Sequence, residues 1–169
     1  MKKSQNLFLV GPMGAGKSAV GRQLARLMRM DFVDSDDEIE HRTGVDIPFI
    51  FEKEGEEGFR KREAKIIEEL SVRQGIVLAT GGGAVMDSRN RSYLGARGFV
   101  IYLHTTVEQQ LDRTKRGRNR PLLDNKDRKA VIAELMEIMD PLYREISDLI
   151  VKTDGRLVRE VATEIRDTL

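Results

Sequence analysis

Residues 6–21 read NLFLVGPMGAGKSAVG: an apolar run, a glycine-rich stretch, and the start of an amphipathic segment. The order decides the fold. Leu7-Phe8-Leu9-Val10 is short and apolar throughout, as a strand buried on both faces requires. Gly11 to Ser18 match G-x-x-x-x-G-K-[ST], a loop whose backbone N–H groups curl around a phosphate. Val20, Leu24, Leu27 and Met28 then recur at helical spacing, so the loop opens onto a helix N-terminus whose dipole favours an anion. In this pattern Gly11, Gly14, Ala15 and Gly16 supply the cradle. Lys17 reaches the β- and γ-phosphates, and Ser18 offers its hydroxyl to Mg²⁺.

A dinucleotide fingerprint hides in the same letters. Gly14-Ala15-Gly16-Lys17-Ser18-Ala19 reads G-x-G-x-x-A, with Asp34 and Asp36 about 20 residues further on. Three features oppose it. The glycine of the tight turn belongs right after the strand, and Gly11, not Gly14, stands there. Lys-Ser serves a triphosphate, and 169 residues leave no room for a second half-fold.

Working outward, further strand-like runs lie at Phe32–Asp34, Ile76–Thr80, Phe99–Leu103 and Leu149–Lys152. Helical stripes separate them: Ile66, Ile67 and Leu70; Val131, Leu135, Met136 and Met139; Val158, Val161, Ala162, Ile165 and Leu169. Alternation of this kind predicts one α/β domain over residues 1–169, a parallel sheet with helices on both faces. The 29 Lys and Arg balance 28 Asp and Glu, which argues against a nucleic-acid binder. With no Cys and only His41 and His104, a metal must be held by oxygen ligands, favouring Mg²⁺. No apolar stretch is long enough to span a membrane and no signal segment stands out, so the expectation is a cytoplasmic protein with no membrane partner.

The chemistry narrows further along the chain. A GTP switch needs D-x-x-G, and no Asp here has Gly three positions later. Strand three ends without an acid, so Asp34, closing strand two, is the nearest candidate to stand behind Mg²⁺. In its place come Gly81-Gly82-Gly83, beyond the carboxyl end of a parallel strand where ligands bind. Asp34-Ser35-Asp36, Phe59-Arg60 and Tyr143-Arg144 add carboxylates and guanidinium groups. Together they suggest a pocket for a small hydroxy acid, with arginines forked onto its carboxylate and an Asp accepting from its hydroxyl. Residues 113–125, basic at first, suit a mobile lid.

These motifs resemble the shikimate kinase family over nearly the whole chain: GPMGAGKS (11–18), DSD (34–36), GEEGFRKRE (55–63), TGGG (80–83), RNRPLL (118–123) and PLYREI (141–146). The resemblance implies a three-layer α/β/α, P-loop nucleoside-monophosphate-kinase-like fold with five parallel strands in order 2-3-1-4-5. It implies transfer of the ATP γ-phosphoryl group to the 3-hydroxyl of shikimate, with Mg²⁺; the expectation for the assembly is a monomer. It assigns Asp36 to the shikimate hydroxyls and as catalytic group, Arg60 and Arg144 to the carboxylate, and Gly81, Gly82 and Gly83 to substrate contact. Lys17 and Arg120 are implied as catalytic, Arg120 from a lid, with Ser18 and Asp34 on the metal. Arg113 is implied on adenine, with Arg156 in the loop opposite. The sequence departs from the family where Ala19 follows Ser18 and where Asp154-Gly155-Arg156 lacks a proline. A kinase acting on gluconate or a nucleotide, or a non-catalytic nucleotide-binding module, are the alternatives.

Overall fold

The computed structural model describes residues 5–114 and 127–169. The order is β1 (Asn6–Val10), α1 (Lys17–Met28), β2 (Asp31–Asp34), α2 (Ser35–Thr43), α3 (Ile47–Ser71) and β3 (Ile76–Ala79), then a single 3-10 turn at Ala84–Met86. After it come α4 (Ser88–Arg97), β4 (Gly98–His104), α5 (Val107–Thr114), α6 (Arg128–Ile146), β5 (Leu149–Lys152) and α7 (Val158–Thr168). The strands form one parallel sheet in order β2-β3-β1-β4-β5, as the resemblance implies.

β1 is central and every residue in it is buried, because a helical layer covers each face. Its side chains alternate between the two layers. Phe8 and Val10 join one core with Ile39, Phe59, Ile67, Leu70, Met139 and Tyr143. Leu7 and Leu9 join the other with Val20, Leu24, Val161, Ala162 and Ile165. α1 and α7 therefore close one face, and α2, α3, α4 and α6 the other.

Asn6 anchors the start of this strand. Its amide donates to the carbonyls of Arg73 (2.6 Å) and Ser71 (3.3 Å), and its Oδ1 accepts from the N–H of Ile76 (3.1 Å). One side chain thus joins β1 to the end of α3 and the beginning of β3. At the opposite end of the sheet, the Thr80 N–H and hydroxyl both reach the Leu9 carbonyl. The carboxyl ends of β1, β2 and β3 are held side by side there, and the site lies beyond them. Gly55, with φ 71° and ψ −179°, breaks α3 into two helical pieces. Glycine reaches that backbone region without a steric penalty. Among the described residues no helix is long and apolar enough to cross a membrane.

Candidate active site

Beyond the strand ends lies a cleft of about 310 Å³, lined by the phosphate loop, α2, α3, the triple glycine, α5 and α6. At one end Gly11, Gly14 and Gly16 take φ values of 150°, 82° and 89°. A Cβ on Gly11 would also lie 2.5 Å from the Leu103 carbonyl oxygen. Gly16 is the N-cap of α1, and Ala15 is buried beneath the loop. Lys17 Nζ donates to the carbonyls of Gly11 (2.7 Å) and Pro12 (2.8 Å), which keeps the ammonium over the loop it serves.

Ser18 stands in the first turn of α1 and its hydroxyl donates to Asp34 Oδ2. The other oxygen of Asp34 accepts from the N–H groups of Asp36 (2.9 Å) and Asp37 (3.1 Å), capping α2. One carboxylate therefore starts a helix and orients the hydroxyl. Both side chains line the cleft with oxygen donors. Among the described residues no group of three or more His, Cys, Asp or Glu is placed to hold a metal ion. A hydroxyl with a carboxylate behind it fits Mg²⁺, which keeps several waters and takes phosphate oxygens as ligands.

The other end is built around Gly81–Gly83. A Cβ on Gly81 would come within 2.8 Å of Asp36 Oδ1 and 2.9 Å of Glu63 Oε2, so two carboxylates close on this glycine. A Cβ on Gly83 would stand 2.4 Å from Arg60 Nη2, because the guanidinium lies against the bare backbone. Gly82 is less crowded, its nearest neighbours being Met13 atoms at 3.4 Å. Its carbonyl accepts from the Tyr143 hydroxyl.

Arg60 donates from Nη1 to Glu63 Oε1 at 2.8 Å and lies over the Phe59 ring, 5.2 Å from its centroid. The Glu63 side chain is 1% exposed. Burial pushes its carboxyl above the ordinary range, and the Arg60 guanidinium opposes that rise. Glu63 Oε2 has no hydrogen-bond partner among the described residues. Glu63 is passed over in the sequence: its i, i+3 spacing from Arg60 suits an ion pair, but Glu56 and Glu57 stand at equivalent spacing on the other side.

Lys17, Ser18, Asp34, Asp36, Arg60, Gly81, Gly82 and Gly83 all line this one cleft. Arg113 joins them, its Nη1 donating to the Gly14 carbonyl at 3.0 Å. Arg144 is not brought in. Its Nε pairs with Asp140 Oδ2 at 2.9 Å, and its side chain is half exposed. Helix geometry explains the correction. Ile132, Met136, Met139 and Tyr143 share the face of α6 that lines the cleft, and the next residue points about 100° away. Arg156 lies outside the cleft as well, bonded to the Lys152 carbonyl (3.0 Å) and to Glu164 (2.6 Å). Arg120, and the lid beyond Thr114, fall outside the described residues.

A phosphate loop facing a pocket of carboxylates and a guanidinium, on a 2-3-1-4-5 parallel sheet, defines a P-loop small-molecule kinase. Residues 13–169 match the family model described as shikimate kinase. The chain is 57% identical to the shikimate kinase of Pasteurella multocida (strain Pm70), over 100% of this chain and 97% of that one. It is 56% identical to that of Shewanella frigidimarina (strain NCIMB 400), over 100% and 99%. Its structure superimposes on the shikimate kinase of Acinetobacter baumannii in complex with shikimate with a TM-score of 0.97, at 50% identity, covering 99% of this chain and 93% of that one. The chain belongs to the shikimate kinase family.

Proposed function

We propose that this protein transfers the γ-phosphoryl group of ATP to the 3-hydroxyl of shikimate, giving shikimate 3-phosphate and ADP on the way to chorismate and the aromatic amino acids. The observation that carries this reading is the junction, within one cleft, of the Lys17 phosphate loop with the Asp36, Arg60 and Gly81–Gly83 end. Phosphoryl transfer asks for positioning and charge stabilisation more than covalent chemistry. Lys17 and the loop N–H groups hold the phosphates. Ser18, with Asp34 behind it, is the place for Mg²⁺, which would supply charge neutralisation between the phosphates.

Arg60 holds the acceptor's carboxylate, and Asp36 accepts from its hydroxyl. The hydroxyl oxygen bonds to the γ-phosphorus as the bond to the β,γ-bridging oxygen breaks. The proton passes to Asp36 late in the reaction and then to solvent. A coupled assay tests the proposal: ADP release must depend on shikimate. ATP turnover that ignores shikimate, or none with it, overturns the reading.

A further inference from the structure

Among the described residues, the acceptor end of the cleft carries one cation where the sequence pattern offers two. Among the described residues that line the cleft, the cations are Lys17, Arg60 and Arg113. Lys17 and Arg113 donate to carbonyls of the phosphate loop and belong to the nucleotide end. Arg144 is turned about 140° around α6 from Met139, five residues back, and is engaged by Asp140 outside the cleft. Besides Tyr143, whose hydroxyl donates to the Gly82 carbonyl, the wall that α6 presents is apolar: Ile132, Leu135, Met136 and Met139.

We infer that, among the described residues, this chain grips the carboxylate of its acceptor with a single guanidinium, Arg60, and that Met136 and Met139 form a thioether wall that packs on the acceptor's carbon ring. The inference rests on the shikimate kinase reading above and specifies how that site recognises its acceptor. One arm suffices because it is set before the ligand arrives. Glu63 holds Nη1, the Phe59 ring supports the guanidinium, and Gly83 lets it lie against the backbone. Little side-chain freedom is then lost on binding, which is where a flexible arginine forfeits affinity. Met139 is 6% exposed, and Met136 is steadied by Gln110, whose Nε2 lies 3.7 Å from its sulfur. Unbranched thioethers follow an irregular ring surface and read shape rather than charge.

The experiment compares shikimate with its carboxamide, which keeps the ring and hydroxyls and removes the charge. Binding is measured by calorimetry with wild type and with Arg60→Ala, Arg60→Gln, Arg144→Ala and Met139→Ala. Wild type prefers the acid by about ten- to a hundredfold, the scale of a charge-assisted pair. Both Arg60 variants bring the preference close to one, and Arg60→Gln keeps much of the side-chain volume should the alanine variant fold poorly. Arg144→Ala leaves the preference at the wild-type value. Met139→Ala weakens acid and amide by the same factor. A preference above tenfold that survives in both Arg60 variants overturns the single grip, and so does its loss in Arg144→Ala. A Met139→Ala effect confined to the acid overturns the thioether wall. If wild type binds the acid and amide with this preference but gives no shikimate-dependent ADP release, the kinase reading fails and the grip stands.

Discussion

Arg60 and Glu63 form an ion pair at 2.8 Å within α3, with the carboxylate almost wholly inside the protein and the guanidinium at the cleft. Taking a carboxylate out of water is costly unless it is paired, and here the partner also lines the cleft. The pair therefore works as a mount: the buried acid fixes the direction of the partly buried base at the cleft. Its strength as a stabilising contact matters less than the orientation it imposes.

Glu63→Gln tests that mount. The amide keeps the shape but loses charge-assisted hold on Arg60, so KM for shikimate rises by about five- to thirtyfold while KM for ATP stays within about twofold. Steady-state kinetics on both substrates decide it, and equal changes in the two constants contradict the assignment. A second readout follows from burial. Because the native carboxyl sits above its ordinary value of 4.5, the native state binds more protons than the unfolded chain just above that pH. Stability contributed by Glu63 is thus fully present at lower pH and declines as pH rises from about 4.5 to the native value. Glutamine does not titrate. The stability of wild type minus that of Glu63→Gln, from denaturant titrations, declines across that window and levels off above it; a difference that grows with pH contradicts it.

Lys17→Ala separates chemistry from folding. The ammonium lies over the loop through the Gly11 and Pro12 carbonyls, where developing charge on the transferred phosphoryl group would meet it. Losing one such preorganised charge lowers kcat by about 10²–10³. The melting temperature stays near that of wild type, since the lysine contributes no core packing. Turnover and a thermal melt on the same sample provide the check, and kcat within tenfold of wild type contradicts the role.

Much of this site is legible in the sequence because its parts are local. A strand, five loop residues and Gly16-Lys17-Ser18 specify the phosphate end without reference to the rest of the chain. Asp34 is found by its place at a strand end, and the triple glycine by its excess over what a turn needs. Arg144 is misread for a geometric reason. Adjacent helical residues point about 100° apart, and only knowing which face of α6 is inward shows that Tyr143 takes the cleft side. The same ambiguity shifts the α6 stripe: Ile132, rather than Val131, is buried. Glu63 is hidden among the charges of GEEGFRKRE, where nothing local marks one acid as buried.

Gly83→Ala probes the close approach of backbone and guanidinium. Its φ of −95° is open to alanine, so the new methyl group meets space rather than strain, and the space is held by Arg60 Nη2 at 2.4 Å. The end of a flexible side chain gives way more readily than backbone, so the protein folds and Arg60 moves. KM for shikimate rises by about tenfold, the order of one impaired charged contact, with ATP affinity retained. At Gly82, where the nearest atoms stand at 3.4 Å, alanine moves Arg60 less. Crystal structures of the two variants show the displacement directly, and an unmoved guanidinium in Gly83→Ala rules out the steric account.

Asn6→Ala tests the opposite end of β1, remote from the chemistry. Asn6 is 3% exposed and satisfies two carbonyls and one N–H that belong to three different segments. Alanine leaves those backbone groups without their partner, each at a cost of roughly 1–3 kcal/mol where water does not reach. The buried Ser71 carbonyl and the Ile76 N–H at the start of β3 suffer most, so the total is about 2–4 kcal/mol. For a domain of this size that lowers the melting temperature by about 5–15 °C. Asn6→Asp is at least as damaging near neutral pH, because a carboxylate accepts from Ile76 but donates nothing to Ser71 or Arg73 and carries a buried charge. Neither change touches the cleft, so kcat and both KM values measured well below the melting point match wild type. Loss of activity without loss of stability would mean that Asn6 acts on the loop beyond Val10 rather than as a clamp between β1, α3 and β3.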